Sequence, residues 1–363
     1  MAPNPHDPYF PPAESAGGWR RLTDAGELHA VGVDAALLEL ARMEHEWLGG
    51  EGQSWSVVVI RHGHLVAEWG SFNIQPTSRF DVWSCTKSFT SIAWGMLLAR
   101  VGIDLDTRVV ELIPELEPLT DERKRAITLR HLLTMTSGIA GESVGIVGVP
   151  PAADSGPFEH AFGRSPNRHG LSVATLAADP GTAWDYSDPA YAHLSPAFAA
   201  AAGRQLDEFA QEELFGPIGV EQASWDRHGG GGAIGPFTNA HTGLHLSARE
   251  LARVGYLLLR RGTWAGREVV PAGWIEMATV PSQELNPSYG YGFWTNAERK
   301  YAPQLRPDTF LAAGYRGQRC YVVPSLDLVV ARVATGPAAW AEPLLIHRVQ
   351  AAVVGTDGQD VRS

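Results

Sequence analysis

Between Ser84 and Arg100 the chain reads Ser-Cys-Thr-Lys-Ser-Phe-Thr-Ser-Ile-Ala-Trp-Gly-Met-Leu-Leu-Ala-Arg, small or apolar almost throughout, with Lys87 and Arg100 as its only charges. A helix of that make-up has no face for water and is buried on every side. The rest of the chain must therefore wrap it, and a lysine in its first turn must be accommodated inside. Ser84 and Lys87 stand three residues apart, a spacing that puts both side chains on one helix face within reach of each other.

The remaining chain has the means to do the wrapping. It holds 363 residues, 44% hydrophobic and 19% charged, enough to bury a large core and far from the make-up of a disordered chain. With 39 glycines and 25 prolines, short elements joined by many turns are expected. Lys+Arg total 29 against 40 Asp+Glu, a net charge of −11, which disfavours nucleic acid and anionic membrane surfaces as partners. Cys85 and Cys320, the only cysteines, are too few for a disulfide framework and lack zinc-site spacing. The N-terminal segment lacks a basic stretch followed by an apolar one, and no apolar run is long enough for a bilayer, so the expected location is cytoplasmic.

Along the chain, a Pro-rich stretch to about Gly18 predicts an extended arm lying on the body. Apolar spacing over Asp34 to Leu48 predicts a helix. Residues 55–60 and 65–69 read as two strands joined at Arg61-His62-Gly63-His64, with both histidines expected on the solvent side rather than as metal ligands. Thr128 opens a helix that Ser137-Gly138 stops, and His131 is expected on that helix's surface or in the core. The tract from Gly141 to Gly170 predicts an irregular loop over the site, and Gly229 to Gly232 mark a boundary. Beyond them come an amphipathic helix at Ala248 to Arg260, strands at 289–294, 309–314, 319–323 and 326–332, and a last helix from about Ala338 to Val353. The fold class predicted is α+β, an antiparallel β-sheet built from both chain ends, flanked by helices, with an inserted helical lobe. The expected division is an α/β lobe from 1–83 and 233–363, a mostly helical lobe at 84–232, and an active site in the cleft between.

Chemistry concentrates in three places. In Ser84-Cys85-Thr86-Lys87 burial disfavours the ammonium, so the amine can take the serine proton, while helix-start N–H groups face a developing oxyanion. Ser-x-x-Lys alone more often marks a helix cap beside a solvated lysine; the apolar helix that follows is what favours chemistry here. Pro180-Gly181-Thr182-Ala183-Trp184-Asp185-Tyr186-Ser187-Asp188 offers a tyrosine that can relay protons if it lies near Lys87, although a lone tyrosine is more often a packed aromatic. Ala312-Ala313-Gly314-Tyr315-Arg316-Gly317-Gln318 reads as a strand whose glycines permit close approach of a substrate, or equally as a sheet-edge bulge. The sequence lacks a Gly-x-Ser-x-Gly elbow, a His-Glu-x-x-His helix, a Walker loop and a dinucleotide fingerprint, and no cofactor or metal is implied.

Ser84-x-x-Lys87, Tyr186-Ser187-Asp188 after Pro-Gly, and a Gly-rich strand leading into Tyr321-Val322-Val323-Pro324 occur in an order that resembles the class C β-lactamase-related serine hydrolases. Penicillin-binding proteins, family VIII carboxylesterases, D-aminopeptidases, nylon-oligomer hydrolases and some acyltransferases belong there. The segments 127–138 and 243–253 are similar to further stretches of that family, and the resemblance spans about residues 50 to 350. It implies an acyl-enzyme mechanism with Ser84 as nucleophile, Lys87 and Tyr186 as the base system, and an oxyanion hole from the backbone N–H groups of Ser84 and Tyr315. Gly314, Asp188, Trp184, Arg316 and Asn239 complete the expected oxyanion and substrate-binding set.

Two departures from the family pattern carry weight. Asp188 stands where asparagine is usual, and an ionised carboxylate cannot donate to a substrate carbonyl. Ala312-Ala313-Gly314 replaces Lys-Thr-Gly, so the cation that grips a β-lactam carboxylate is missing unless Arg316 or Arg319 supplies it. The expected function is hydrolysis of small esters or amides with poor β-lactamase activity. The competing expectations are an acyltransferase on the same site, and a silent penicillin-recognising module, which has no physical need for a buried lysine.

Overall fold

The computed structural model describes residues 8–48, 54–71, 73–117, 119, 121–141, 176–227, 236–336 and 341–354. Its organising element is an antiparallel sheet of β1 (Trp55–Arg61), β2 (His64–Gly70), β3 (Trp294–Thr295), β4 (Phe310–Gly314), β5 (Gln318–Val323) and β6 (Leu328–Ala334), in the order β2-β1-β6-β5-β4-β3. The N-terminal hairpin joins the C-terminal meander through β1 and β6, with Val58 opposite Ala331. Both chain ends build one sheet, as the strand pattern predicted.

The hairpin turn is two residues, His62 and Gly63, at φ +50° and +80°. Positive φ at both central positions is the turn geometry that matches strand twist, which explains why a glycine sits there. Along β1 the side chains alternate: Val57 and Val59 enter one core, Val58 and Ile60 the other. A strand buried on both faces has to be apolar throughout, which accounts for the unbroken Val-Val-Val-Ile run.

The helices that matter are α1 (Ala35–Leu48), α2 (Thr86–Leu98), α3 (Asp188–Ala192), α4 (Ala248–Leu259) and α5 (Ala341–Ala351). Helices α1 and α5 pack together over one face of the sheet, while α4 covers β6, β5 and β1 on the other. Every residue of α2 from Thr86 to Leu97 is buried. Its hydroxyls do not go to waste: Ser88 Oγ donates to the Gly292 carbonyl at 2.6 Å, Ser91 Oγ to Tyr291 at 2.5 Å and Thr90 Oγ1 to Ala240 at 2.7 Å, while Thr86 Oγ1 accepts from Leu244 N–H. The small polar residues in the helix thus tie two irregular segments to its flanks. No helix among the described residues is long and apolar enough to cross a membrane.

Two local expectations are corrected. Residues 289–293 are not strand; only Trp294–Thr295 pairs with β4, because the preceding segment turns down onto α2, where Gly292 leaves room beside the Lys87 carbonyl and the Tyr191 hydroxyl. The histidines of the hairpin do not face solvent. Tyr9 of the N-terminal arm stacks on His64 at 5.4 Å, leaving it 5% exposed, and His62 Nδ1 lies 2.9 Å from Asp327. The arm is fastened by Arg253, fully buried, which donates to the Pro11 and Pro12 carbonyls and pairs with Glu14. His131 is half-buried and closes a capping box with Thr128. Both cysteines are buried and neither forms a disulfide. The tract 142–175 and Gly229 to Gly232 lie outside the described residues.

At the end of β4 the sheet meets the turn before α2. A Cβ on Gly314 would press deep into the Val82 carbonyl oxygen and stand 3.1 Å from the Cys85 nitrogen, backbone atoms that cannot swing aside. Gly314→Ala should therefore cost about 1–3 kcal/mol through overpacking, read as a lowered midpoint in urea unfolding; an unchanged midpoint would mean the strand and turn separate easily.

Candidate active site

Ser84 sits in a single 3-10 turn, Trp83–Cys85, that runs directly into α2. N–H groups in a first helical turn have no acceptor within the helix, so that of Ser84 is available to an incoming oxygen. One turn on, the Lys87 side chain is 1% exposed, and its Nζ has three oxygen neighbours. It donates to Ser84 Oγ at 2.9 Å and to the His241 carbonyl at 3.1 Å, and pairs with Asp188 Oδ1 at 2.6 Å. Two of these oxygens accept hydrogen bonds from Nζ, and the third, on the Asp188 carboxylate, meets it as an ion pair.

Asp188 arrives at the first turn of α3, whose N-cap is Ser187, with its Oγ accepting from Ala190 N–H at 3.1 Å. A third of its side chain faces the cleft. Burial pushes its carboxyl up, but the Lys87 charge and His241 outweigh that and hold it below the ordinary carboxylate range. His241 is presented by a turn in which Asn239 Oδ1 accepts from the N–H groups of His241 and Thr242. The Asn239 side chain, expected beside substrate, thus braces the segment that carries a Lys87 acceptor.

Tyr186 lies with its ring centre 4.8 Å from Lys87 Nζ and stacks on Trp294 at 6.1 Å, 16° between planes. Trp184 meets Tyr289 and Trp294 edge-on at 5.7 and 6.1 Å, so the two residues flanking Asp185 join one aromatic wall. Two further tyrosines, absent from the expected set, complete the surroundings. Tyr191 donates its hydroxyl to the Lys87 carbonyl at 3.0 Å, and Tyr289 is 1% exposed. Burial above all, then neighbouring phenols and, for Tyr289, Asp188, push both well above the usual tyrosine value. They stay neutral phenols and cannot serve as bases near pH 7. Nothing local in the sequence distinguishes them from packed aromatics; their spacing to Lys87 arises only on folding.

Tyr315 is 64% exposed and its ring meets Trp83, the residue before Ser84, edge-on at 5.4 Å. The Arg316 guanidinium lies 5.7 Å from both ring centres. Arg319, the other cation considered for substrate, turns instead to the Gly314 and Gln318 carbonyls at 2.6 and 2.8 Å. Gly314 serves the close approach of β4 to the turn before α2, as described above.

A serine and a lysine in contact, a carboxylate behind the lysine and a tyrosine over it can together deprotonate a hydroxyl and return the proton. The Beta-lactamase family matches residues 41–353. The chain belongs to that family of serine hydrolases. Esterase EstB of Burkholderia gladioli is 29% identical over 154 residues, 40% of this chain and 38% of the esterase, so the match spans well under half of that relative. The 6-aminohexanoate-dimer hydrolase of Paenarthrobacter ureafaciens is 25% identical over 77% of this chain and 72% of its own. Among solved structures, a putative beta-lactamase from Bacteroides dorei shares the fold with a TM-score of 0.68 at 16% identity, covering 88% of this chain and 98% of the other.

The ion pair has a pH signature. Because Asp188 is held below its unfolded value, its contribution to stability is complete above about pH 4 and is lost as pH falls through the lower folded value. Asp188→Asn should therefore be less stable than the parent at pH 7, with the gap in unfolding free energy narrowing below about pH 4. A gap independent of pH would show that the carboxylate charge contributes nothing.

Proposed function

We propose that the chain hydrolyses small esters or amides through an acyl-enzyme on Ser84. The contact that carries this reading is Lys87 Nζ to Ser84 Oγ, 2.9 Å, made by a lysine that is 1% exposed. Of the three oxygens around Nζ, Ser84 Oγ is the one that carries a proton to give, since the others are a carbonyl and a carboxylate. Reacting as the free amine, Lys87 Nζ takes the proton of Ser84 Oγ as Oγ attacks the substrate carbonyl carbon, with Tyr186 beside it, and the ammonium so formed is the source of the proton that the leaving group needs. The oxyanion forms between the N–H groups of Ser84 and Tyr315, and the proton leaves with the alcohol or amine. Water then repeats the sequence on the acyl-enzyme.

The substrate's acyl face meets aromatic rings on both sides, Trp184 and Trp294 beside Tyr186 and Trp83 beside Tyr315. That lining favours apolar acyl groups. Hydrolysis of an ester and of an amide fits what the names of EstB, an esterase, and of the 6-aminohexanoate-dimer hydrolase say of those two relatives. Ala312 leaves no lysine at the strand position that would hold a β-lactam carboxylate, and Arg316 is occupied by two rings.

A fluorophosphonate should add one mass increment to the parent and none to Ser84→Ala. Lys87→Ala and Tyr186→Phe should each lower kcat/KM for a p-nitrophenyl ester by at least ~100-fold. Labelling that persists in Ser84→Ala would move the nucleophile elsewhere.

The same lining and the missing strand cation set the substrate range. Short esters should give higher kcat/KM than penicillins or cephalosporins. The opposite order would make Arg316 a carboxylate grip. Product analysis with an added amine separates hydrolysis from acyl transfer.

A further inference from the structure

One carboxylate oxygen touches both segments that meet at the candidate nucleophile. Asp81 Oδ1 accepts from Trp83 N–H at 2.7 Å and from Gly243 N–H at 3.1 Å. Trp83 immediately precedes Ser84 and holds φ +49°, a left-handed backbone that a bulky side chain rarely adopts. Gly243 lies two residues beyond His241, whose carbonyl receives Lys87 Nζ. The two segments are already neighbours, since Phe80–Asp81 pairs antiparallel with Leu244–Leu246 and Val82 N–H donates to the Leu244 carbonyl at 2.8 Å. Strand pairing aligns them along their length, but it ends before Trp83, where the chain turns left-handed. The Asp81 side chain bridges that gap.

We propose that Asp81 is a positioning residue, holding the strained Trp83 peptide and the Gly243 turn together so that Ser84 and the Lys87 acceptor keep one geometry. It touches no reacting atom. Its effect reaches chemistry through where Ser84 Oγ and the Ser84 N–H point. The inference rests on the assignment of Ser84 as nucleophile. Its requirement is an acceptor with two lone pairs at the Oδ1 position, which a carboxamide oxygen also supplies.

The test uses the full chain with a p-nitrophenyl ester, reading kcat and KM separately, together with hydrogen exchange at the Trp83 and Gly243 amides. Asp81→Ala should lower kcat by roughly 10- to 100-fold, the usual consequence of small misplacement, with KM changed less than about 3-fold. Exchange should accelerate at both amides. Asp81→Asn should keep kcat within about 3-fold and keep both amides protected. Parental kcat in a folded Asp81→Ala, or equal losses in the alanine and asparagine variants, would overturn the proposal. If Asp81→Ala does not fold, Asp81→Glu, which moves the acceptor by one methylene, carries the comparison: a kcat loss with KM kept supports the positioning role, and an unchanged kcat overturns it. Ser84→Ala run alongside separates the two levels, since activity surviving there removes the nucleophile and this inference with it, whereas the exchange data report on the Asp81 contacts regardless of turnover.

Discussion

Removing the Lys87 ammonium from water costs several kcal/mol unless every N–H finds a partner. The three oxygens that receive it come from residues 84, 188 and 241, which are far apart in the chain. None of the three contacts is local except that to Ser84, so the lysine becomes tolerable only once the segments around 188 and 241 have docked. Assembly of the site and completion of the fold are one event. The hydroxyls of α2 serve the same end, since Thr90 fixes Ala240 beside His241 and Ser88 and Ser91 fix the segment leading to Trp294. A helix of plain leucines would be buried equally well and would hold neither segment in place.

The tyrosines around Lys87 show how position separates chemistry from packing. Tyr191 and Tyr289 are buried outright and confined to neutral phenols, and Tyr191 uses its hydroxyl to hold the Lys87 carbonyl. Tyr186 is half-buried and lies over the lysine charge, close enough for a cation–π contact. The three residue types are identical; only the surroundings assign one to the cleft and two to the scaffold.

Much of this was legible in the sequence because it depends on local pattern. The apolar run after Ser84, the Val-Val-Val-Ile strand and the two-residue turn at His62-Gly63 each carry their structure in spacing and residue type. Ser84, Lys87 and Asp188 come together as expected from the helix spacing and the Tyr-x-Asp tripeptide. What was not legible depends on contacts across the chain. The hairpin histidines are covered by Tyr9 and Asp327, the latter 265 residues from His62. Residues 289–293 look like strand by composition, yet they fold onto α2 because Gly292 permits approach to its backbone. Asn239 reads as a free polar side chain until the turn at His241 claims its oxygen. Asp81 gives no signal at all, since one of its two donors lies 162 residues away.

The carboxylate at 188 changes what the lysine can do. A carboxamide there would offer Lys87 an oxygen and turn an N–H₂ toward another acceptor, dividing its side chain between enzyme and substrate. A carboxylate has nothing to donate, so it contributes charge and two acceptors, one of them spent on Nζ at 2.6 Å. Lys87 then faces two oxygens that can only accept, the Asp188 carboxylate and the His241 carbonyl, and one that can both donate and accept, Ser84 Oγ. Of the three, Ser84 Oγ is the one with a proton to give up. About a third of the Asp188 side chain stays exposed. In the proposed reaction a substrate carbonyl would find no donor at that position and would rely on the backbone N–H groups near Ser84.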